Sequence, residues 1–98
     1  MQEIDINELK KVINNIILID VREADEFSNH IPKAINKSLG AIIRDIGKLG
    51  EALIPKNKEV VLYCGSGTRS SIAAKFLEEK GWNNIKSLKG GFIAWINS

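Results

Sequence analysis

Val60-Val61-Leu62-Tyr63-Cys64-Gly65-Ser66-Gly67-Thr68-Arg69-Ser70-Ser71 is the stretch that decides how this chain folds. Its first four residues are apolar, β-branched or aromatic, the composition of a buried strand. From Ser70 onward Ile72, Ala73, Phe76 and Leu77 recur at helical spacing, so a helix is expected there with those four on one face. Between strand and helix stand the only cysteine of the chain and a turn with two glycines. Gly65 and Gly67 reach positive φ at little cost, so the backbone can curl there and aim successive N–H groups inward. The first helical turn adds unpaired N–H groups and the positive end of its dipole. Ser66, Thr68 and Ser70 contribute hydroxyls, and Arg69 a fixed positive charge. Such settings lower a cysteine pKa to roughly 3.5–7.5, so Cys64 is expected to be a thiolate nucleophile near neutral pH. A cysteine that only fills space needs none of these neighbours. Arg69 admits two roles, a clamp on a substrate anion or a partner for an acidic residue of a neighbouring loop.

Outward from this stretch, strand and helix signals alternate. Glu3-Ile4 reads as a short edge strand, and Asp5 or Asn7 as the cap of a helix carrying Leu9, Val12 and Ile13. Glu8 stands at capping-box spacing from Asp5. Ile16-Ile17-Leu18-Ile19 is a continuous aliphatic run, as in a strand buried on both faces. Ala24 to Phe27 suits one helical turn, and Ala34-Ile35-Asn36 a short strand. Ala41 to Leu53 is amphipathic but interrupted by Gly47 and Gly50, which weaken a helix. Lys80-Gly81 ends the helix that follows the central turn. Ile85 marks a last strand, and Gly90-Gly91 opens a terminal helix with Phe92, Ile93, Trp95 and Ile96. The alternation predicts one α/β domain over residues 1–98, a parallel sheet of four to five strands with helices on both faces. Ligands of such sheets bind beyond the carboxyl ends of the strands. Cys64 follows one strand while Asp20 and Arg22 follow another, which places all three at the same rim. Asp20 and Arg22 either brace the loop backbone or face the substrate.

Composition narrows the class. The chain has 98 residues, 44% hydrophobic and 27% charged, with a formal net charge of +2. Its lysines are scattered, so no nucleic-acid partner is indicated. A single cysteine allows neither an internal disulfide nor a C-x-x-C redox pair, and it suits a reducing compartment. The first residues lack a basic and then apolar signal pattern, and no apolar run approaches the length of a membrane span. A cytoplasmic location without membrane contact is the expectation.

The sequence Cys64-Gly-Ser-Gly-Thr-Arg-Ser70 resembles the active-site loop of the rhodanese sulfurtransferases, C-x-S-G-x-R-S. Asp20-Val21-Arg22-Glu23, with Glu26-Phe27, His30-Ile31-Pro32 and Ala34-Ile35-Asn36, is similar to the amino-terminal signature of that family. Leu88-Lys89-Gly90-Gly91-Phe92-Ile93-Ala94-Trp95 is similar to its carboxyl-terminal one. The resemblance implies a three-layer α/β/α fold in which the strands before Asp20 and Cys64 are neighbours. It also implies transfer of a sulfane sulfur from a donor such as thiosulfate to cyanide or a thiol. Cys64 would carry the sulfur as a transient persulfide cradled by Gly65, Ser66, Gly67, Thr68, Arg69 and Ser70, with no metal or organic cofactor. A desulfurase or another sulfur-relay protein could serve as donor. The other readings are a carrier or interaction module without fast turnover, and a cysteine phosphatase or arsenate reductase. The C-x4-R spacing from Cys64 to Arg69 disfavours the last, because those enzymes use a wider C-x5-R bowl.

His30 matches a structural signature of the family rather than its reacting centre, so it is not expected to activate Cys64. Trp82 and Trp95 are expected to pack, and Lys37, Lys48, Lys86 and Lys89 to lie in solvent. Two departures from the pattern stand out. The segment between Phe27 and His30 is one residue short, with Asn29 expected to take the left-handed conformation usual for glycine there. Lys33 occupies a second position where glycine is usual.

Overall fold

The computed structural model describes residues 1–98. Five parallel strands, β1 (Gln2–Ile4), β2 (Ile17–Asp20), β3 (Ile35–Asn36), β4 (Val60–Tyr63) and β5 (Ile85–Leu88), form one sheet in the order β1-β5-β4-β2-β3. The predicted central strand occupies its middle, hydrogen-bonded to β2 on one side and β5 on the other. All four of its residues are fully buried, which its apolar composition allows.

Four helices cover the sheet: α1 (Ile6–Val12), α2 (Leu39–Leu49), α3 (Thr68–Glu79) and α4 (Gly91–Ile96). The two-residue side-chain period of β4 divides the interior into two layers. Val60, Leu62 and Cys64 pack with Ile42 and Ile46 of α2 and Ala73, Ala74 and Leu77 of α3. Val61 and Tyr63 pack on the opposite face with Leu9 of α1 and Phe92 of α4. Cys64 therefore emerges on the α2–α3 side.

Local chemistry explains the helix boundaries. Asp5 caps α1 and forms the reciprocal capping box with Glu8. α2 is one unbroken helix through Gly40 and Gly47, capped by the Ser38 hydroxyl at Ala41 N. Burial of Ile42 and Ile46 outweighs the cost of about 1 kcal/mol for each interior glycine. α3 starts two residues before the expected Ser70, because Gly67 takes the left-handed conformation (φ 119°) and turns the chain directly into the helix. Its buried stripe is Ser70, Ala73, Ala74 and Leu77; Ile72, expected on that face, is half exposed. The two-residue earlier start does not change helical phase; small residues at 70, 73 and 74 let the helix lie close to the sheet, and Ile72 points away.

Candidate active site

Cys64 is the first residue beyond β4, and its Sγ is surrounded by the turn that leads into α3. The amides of Gly67 and Ser70 donate to Sγ at 3.1 and 3.4 Å. The Ser70 hydroxyl lies 3.7 Å from the same sulfur. Burial of the residue opposes ionisation, since a charge is costly away from water. The amides of Ser70, Gly67 and Ser66 and the Ser70 hydroxyl favour the anion more strongly, and the thiol pKa is lowered.

The start of this turn is held by α4. Its first N–H groups hold the carbonyls on the outer side of the turn: Phe92 N donates to Cys64 O at 2.8 Å and Ile93 N to Gly65 O at 3.1 Å. In a trans peptide the carbonyl and the N–H point in opposite directions. Tying those two carbonyls to α4 therefore directs the following amides, Gly65 N–H and Ser66 N–H, away from α4. Gly91 makes the contact possible. It sits at φ +56°, and a Cβ there would overlap the Cys64 carbonyl oxygen and lie 2.7 Å from that of Gly65. In the sequence Gly90-Gly91 reads as the opening of a helix and as part of the carboxyl-terminal signature; its approach to the cysteine turn depends on the fold.

Of the two turn glycines, only Gly67 has positive φ. Gly65, expected to curl the chain in the same way, does not, since the bend is completed at Gly67 and at the α4 contact. Ser66 and Thr68 are exposed at the mouth of the ring. The Arg69 guanidinium is paired: Nη1 and Nη2 donate to the two Glu26 carboxylate oxygens at 2.8 and 3.3 Å. Arg69 accordingly holds Glu26 down to about 2, and Glu26 in turn raises Arg69. The geometry thus gives Arg69 the acidic partner on a neighbouring loop.

Asp20 and Arg22 lie at the same rim but on the other face. Asp20 shares the pleat of Leu18, opposite Ile19 and Val21, so its side chain turns toward the α1–α4 layer. Its two oxygens accept from the Arg22 amide, Nε and Nη2 at 2.7–3.0 Å. Arg22 Nη2 also donates to Asn29 O at 2.8 Å, and the guanidinium lies 4.5 Å from the Phe92 ring centroid. The pair braces the 23–31 loop, not the cysteine turn.

His30 lies against Phe27, with ring centroids 3.8 Å apart and the planes tilted by 37°, and its buried Nδ1 has no hydrogen-bond partner. Asn29 is not left-handed; the only residue other than glycine at positive φ is Lys33, at 73°. Trp82 is buried, its indole N–H bonded to Ile54 O, and Trp95 packs against the α1–α4 layer. A surface hollow of about 570 Å³, lined by Met1, Lys75, Glu78 and Glu79, involves the far half of α3 and no residue of the cysteine turn.

This fold and cysteine turn are those of a known family. The rhodanese-like domain matches residues 5–98, and the chain belongs to that family. A sulfurtransferase of Allochromatium vinosum is 32% identical over 99 residues, covering 97% of this chain and 88% of the relative. A thiosulfate:glutathione sulfurtransferase of Saccharomyces cerevisiae is 30% identical over 110 residues, covering 99% and 79%. The chain spans only 24% of a longer relative, the adenylyltransferase and sulfurtransferase UBA4 of Meyerozyma guilliermondii, at 30% identity. Among solved structures, a rhodanese-related protein from Thermoplasma volcanium superposes with a TM-score of 0.85 at 28% identity, over 99% of this chain and 92% of that one.

Proposed function

We propose that the protein moves a sulfane sulfur from an anionic donor such as thiosulfate to a thiol or cyanide, by double displacement at Cys64. The observation that carries this reading is the pair of inward amides, Gly67 and Ser70, on a sulfur placed at the end of the central strand. The Cys64 thiolate attacks the outer sulfur of thiosulfate. The S–S bond of the donor breaks, sulfite leaves with the electron pair, and Cys64 persulfide remains. An acceptor thiolate or cyanide then attacks the outer persulfide sulfur, releasing thiocyanate or a new persulfide and regenerating the Cys64 thiolate. Amides fixed around a negative sulfur act as an oxyanion hole does, by dipoles set in place before the charge arrives.

No step calls for a metal or an organic cofactor; the persulfide itself holds the sulfur in transit. Pairing of Arg69 with Glu26 supports sulfur transfer over phosphate chemistry, which needs that guanidinium on the oxyanion. The reading places the protein in the cytoplasm, where a free catalytic thiol stays reduced. Kinship with a segment of a longer sulfurtransferase supports a protein donor, such as a desulfurase, as the alternative source of sulfur.

Mass spectrometry after incubation with thiosulfate tests the proposal. One added sulfur atom on the protein, absent in Cys64→Ser, together with loss of thiocyanate release in that variant, is the expected result. Loading by a desulfurase with cysteine but not by thiosulfate would replace turnover with a carrier role. No loading from either source would overturn the reading.

A further inference from the structure

Ser87 is a polar residue at a core position. It lies on β5 on the same face as Ile85, beneath α3, and is fully buried. Its hydroxyl lies 2.7 Å from the Ser70 hydroxyl, which is its side-chain hydrogen-bond partner. A buried O–H that does not donate is costly, so Ser87 donates and Ser70 Oγ accepts. This leaves the single Ser70 hydrogen two destinations, Gly67 O at 3.2 Å and Cys64 Sγ at 3.7 Å.

Which destination it takes depends on the sulfur. When Cys64 is a thiol, its S–H can donate to Ser70 Oγ while Ser70 donates to Gly67 O, and every group is satisfied. When Cys64 is a thiolate, the Ser70 hydrogen turns to the negative sulfur. Gly67 O loses little by this, because Ser71 already supplies it with its amide at 3.1 Å and its hydroxyl at 2.7 Å. Without Ser87, the Ser70 hydroxyl still has the sulfur as an acceptor but loses the donor that polarises its own O–H, so its hydrogen bond to a thiolate weakens.

We infer that Ser87 is a positioning residue for sulfur transfer, which donates to Ser70 Oγ and so strengthens the hydrogen bond that the Ser70 hydroxyl gives to a Cys64 thiolate. It touches no substrate and gives up no proton; on ionisation the Cys64 proton leaves to solvent and the two serines only reorient. The inference rests on the thiolate chemistry proposed above. Charged groups near Cys64 are few: Arg69 on α3 with its partner Glu26 from the 24–26 turn, and beyond β4 the mutually paired Asp20 and Arg22. β5 adds Lys86, on the opposite face and paired with Glu59 at 3.1 Å, α2 adds the mutually paired Arg44 and Asp45, and α4 adds only backbone, so none of these ion pairs involves Ser87.

The test is the pH dependence of Cys64 alkylation by iodoacetamide in the whole protein, which requires no sulfur donor. Ser87→Ala should react about two- to fourfold more slowly than the parent near pH 6.5, and at the same rate once pH is high enough to ionise both. Ser87→Thr should keep the parent profile and its isostere Ser87→Val should lose it, which separates the hydroxyl from packing. In the Ser70→Ala background, Ser87→Ala should add nothing. An unchanged profile in Ser87→Ala and Ser87→Val, or a full shift that persists without the Ser70 hydroxyl, overturns the inference. An altered profile alongside absent sulfur loading would instead sink the transfer reaction and leave the hydroxyl relay standing.

Discussion

At Lys33 the backbone is held at φ 73° with a side chain attached, a conformation that costs an L-residue about 1–2 kcal/mol relative to glycine. The residue is exposed, so no packing of its side chain repays the strain. Lys33→Gly should therefore stabilise the protein by about 0.5–1 kcal/mol, the strain relief less the extra entropy glycine gives the unfolded chain. The midpoint of urea denaturation measures this, and a lower midpoint would show the strain is absent. Of the two positions where glycine is usual, Asn29 is the one expected to turn left-handed, yet only Lys33 does so. The shorter segment before His30 shifts its bend: Asn29 presents its carbonyl to Arg22, and the tight turn falls after Pro32. Arg69 was undecided from residue types alone for a similar reason. Its partner lies 43 positions away, and only the folded sheet rim brings Glu26 beside it.

Among the elements, β4 and the reactive turn were legible because each carries a local signal: four apolar residues in a row, then glycines around a cysteine. What escaped was the support of that turn by α4 and β5. Neither contact has a local signature, because each depends on which strands lie beside β4. Ser87 becomes informative only when its register against Leu62 and its place in the pleat are known. The α4 contact predicts a sharp effect. Gly91→Ala places a methyl group against the carbonyls of Cys64 and Gly65 at a residue with φ +56°. Neither the backbone of the turn nor that of α4 can give way without losing hydrogen bonds. The substitution should cost about 2–4 kcal/mol and slow Cys64 alkylation at pH 6 by moving the turn amides. Measured denaturation and alkylation that both match the parent would mean that α4 does not set the turn.

Over the whole molecule, the sheet separates chemistry from fastening. The face toward α2 and α3 holds Cys64, Ser70 and Ser87, while the face toward α1 and α4 holds the Asp20–Arg22 pair. This division follows from strand parity: β2 and β4 pair in register, Asp20 opposite Tyr63, so their successive residues turn the same way. Three-layer architecture was readable from the alternation of elements, but strand parity at the rim was not, so the sequence left open whether Asp20 and Arg22 brace loop backbone or face the substrate. Their burial gives them another consequence. Asp20 is fully buried and Arg22 is 6% exposed, so neutralising Asp20 leaves the Arg22 charge in the interior with Asn29 O as its remaining partner outside the pair. Breaking such a pair costs about 3–5 kcal/mol, a large part of the 5–15 kcal/mol typical for a whole domain. Asp20→Asn keeps the shape and removes the charge, so it should shift the denaturation midpoint strongly with an unchanged slope against denaturant. The Arg44–Asp45 pair provides the contrast, because Arg44 is 72% exposed at its side chain and Asp45→Asn should leave the midpoint where it was. If the two asparagine variants unfold together near the parent, the Asp20–Arg22 pair does not hold the rim, and the 23–31 loop must be fastened by Tyr63 to Ile31 N and by the apolar layer alone.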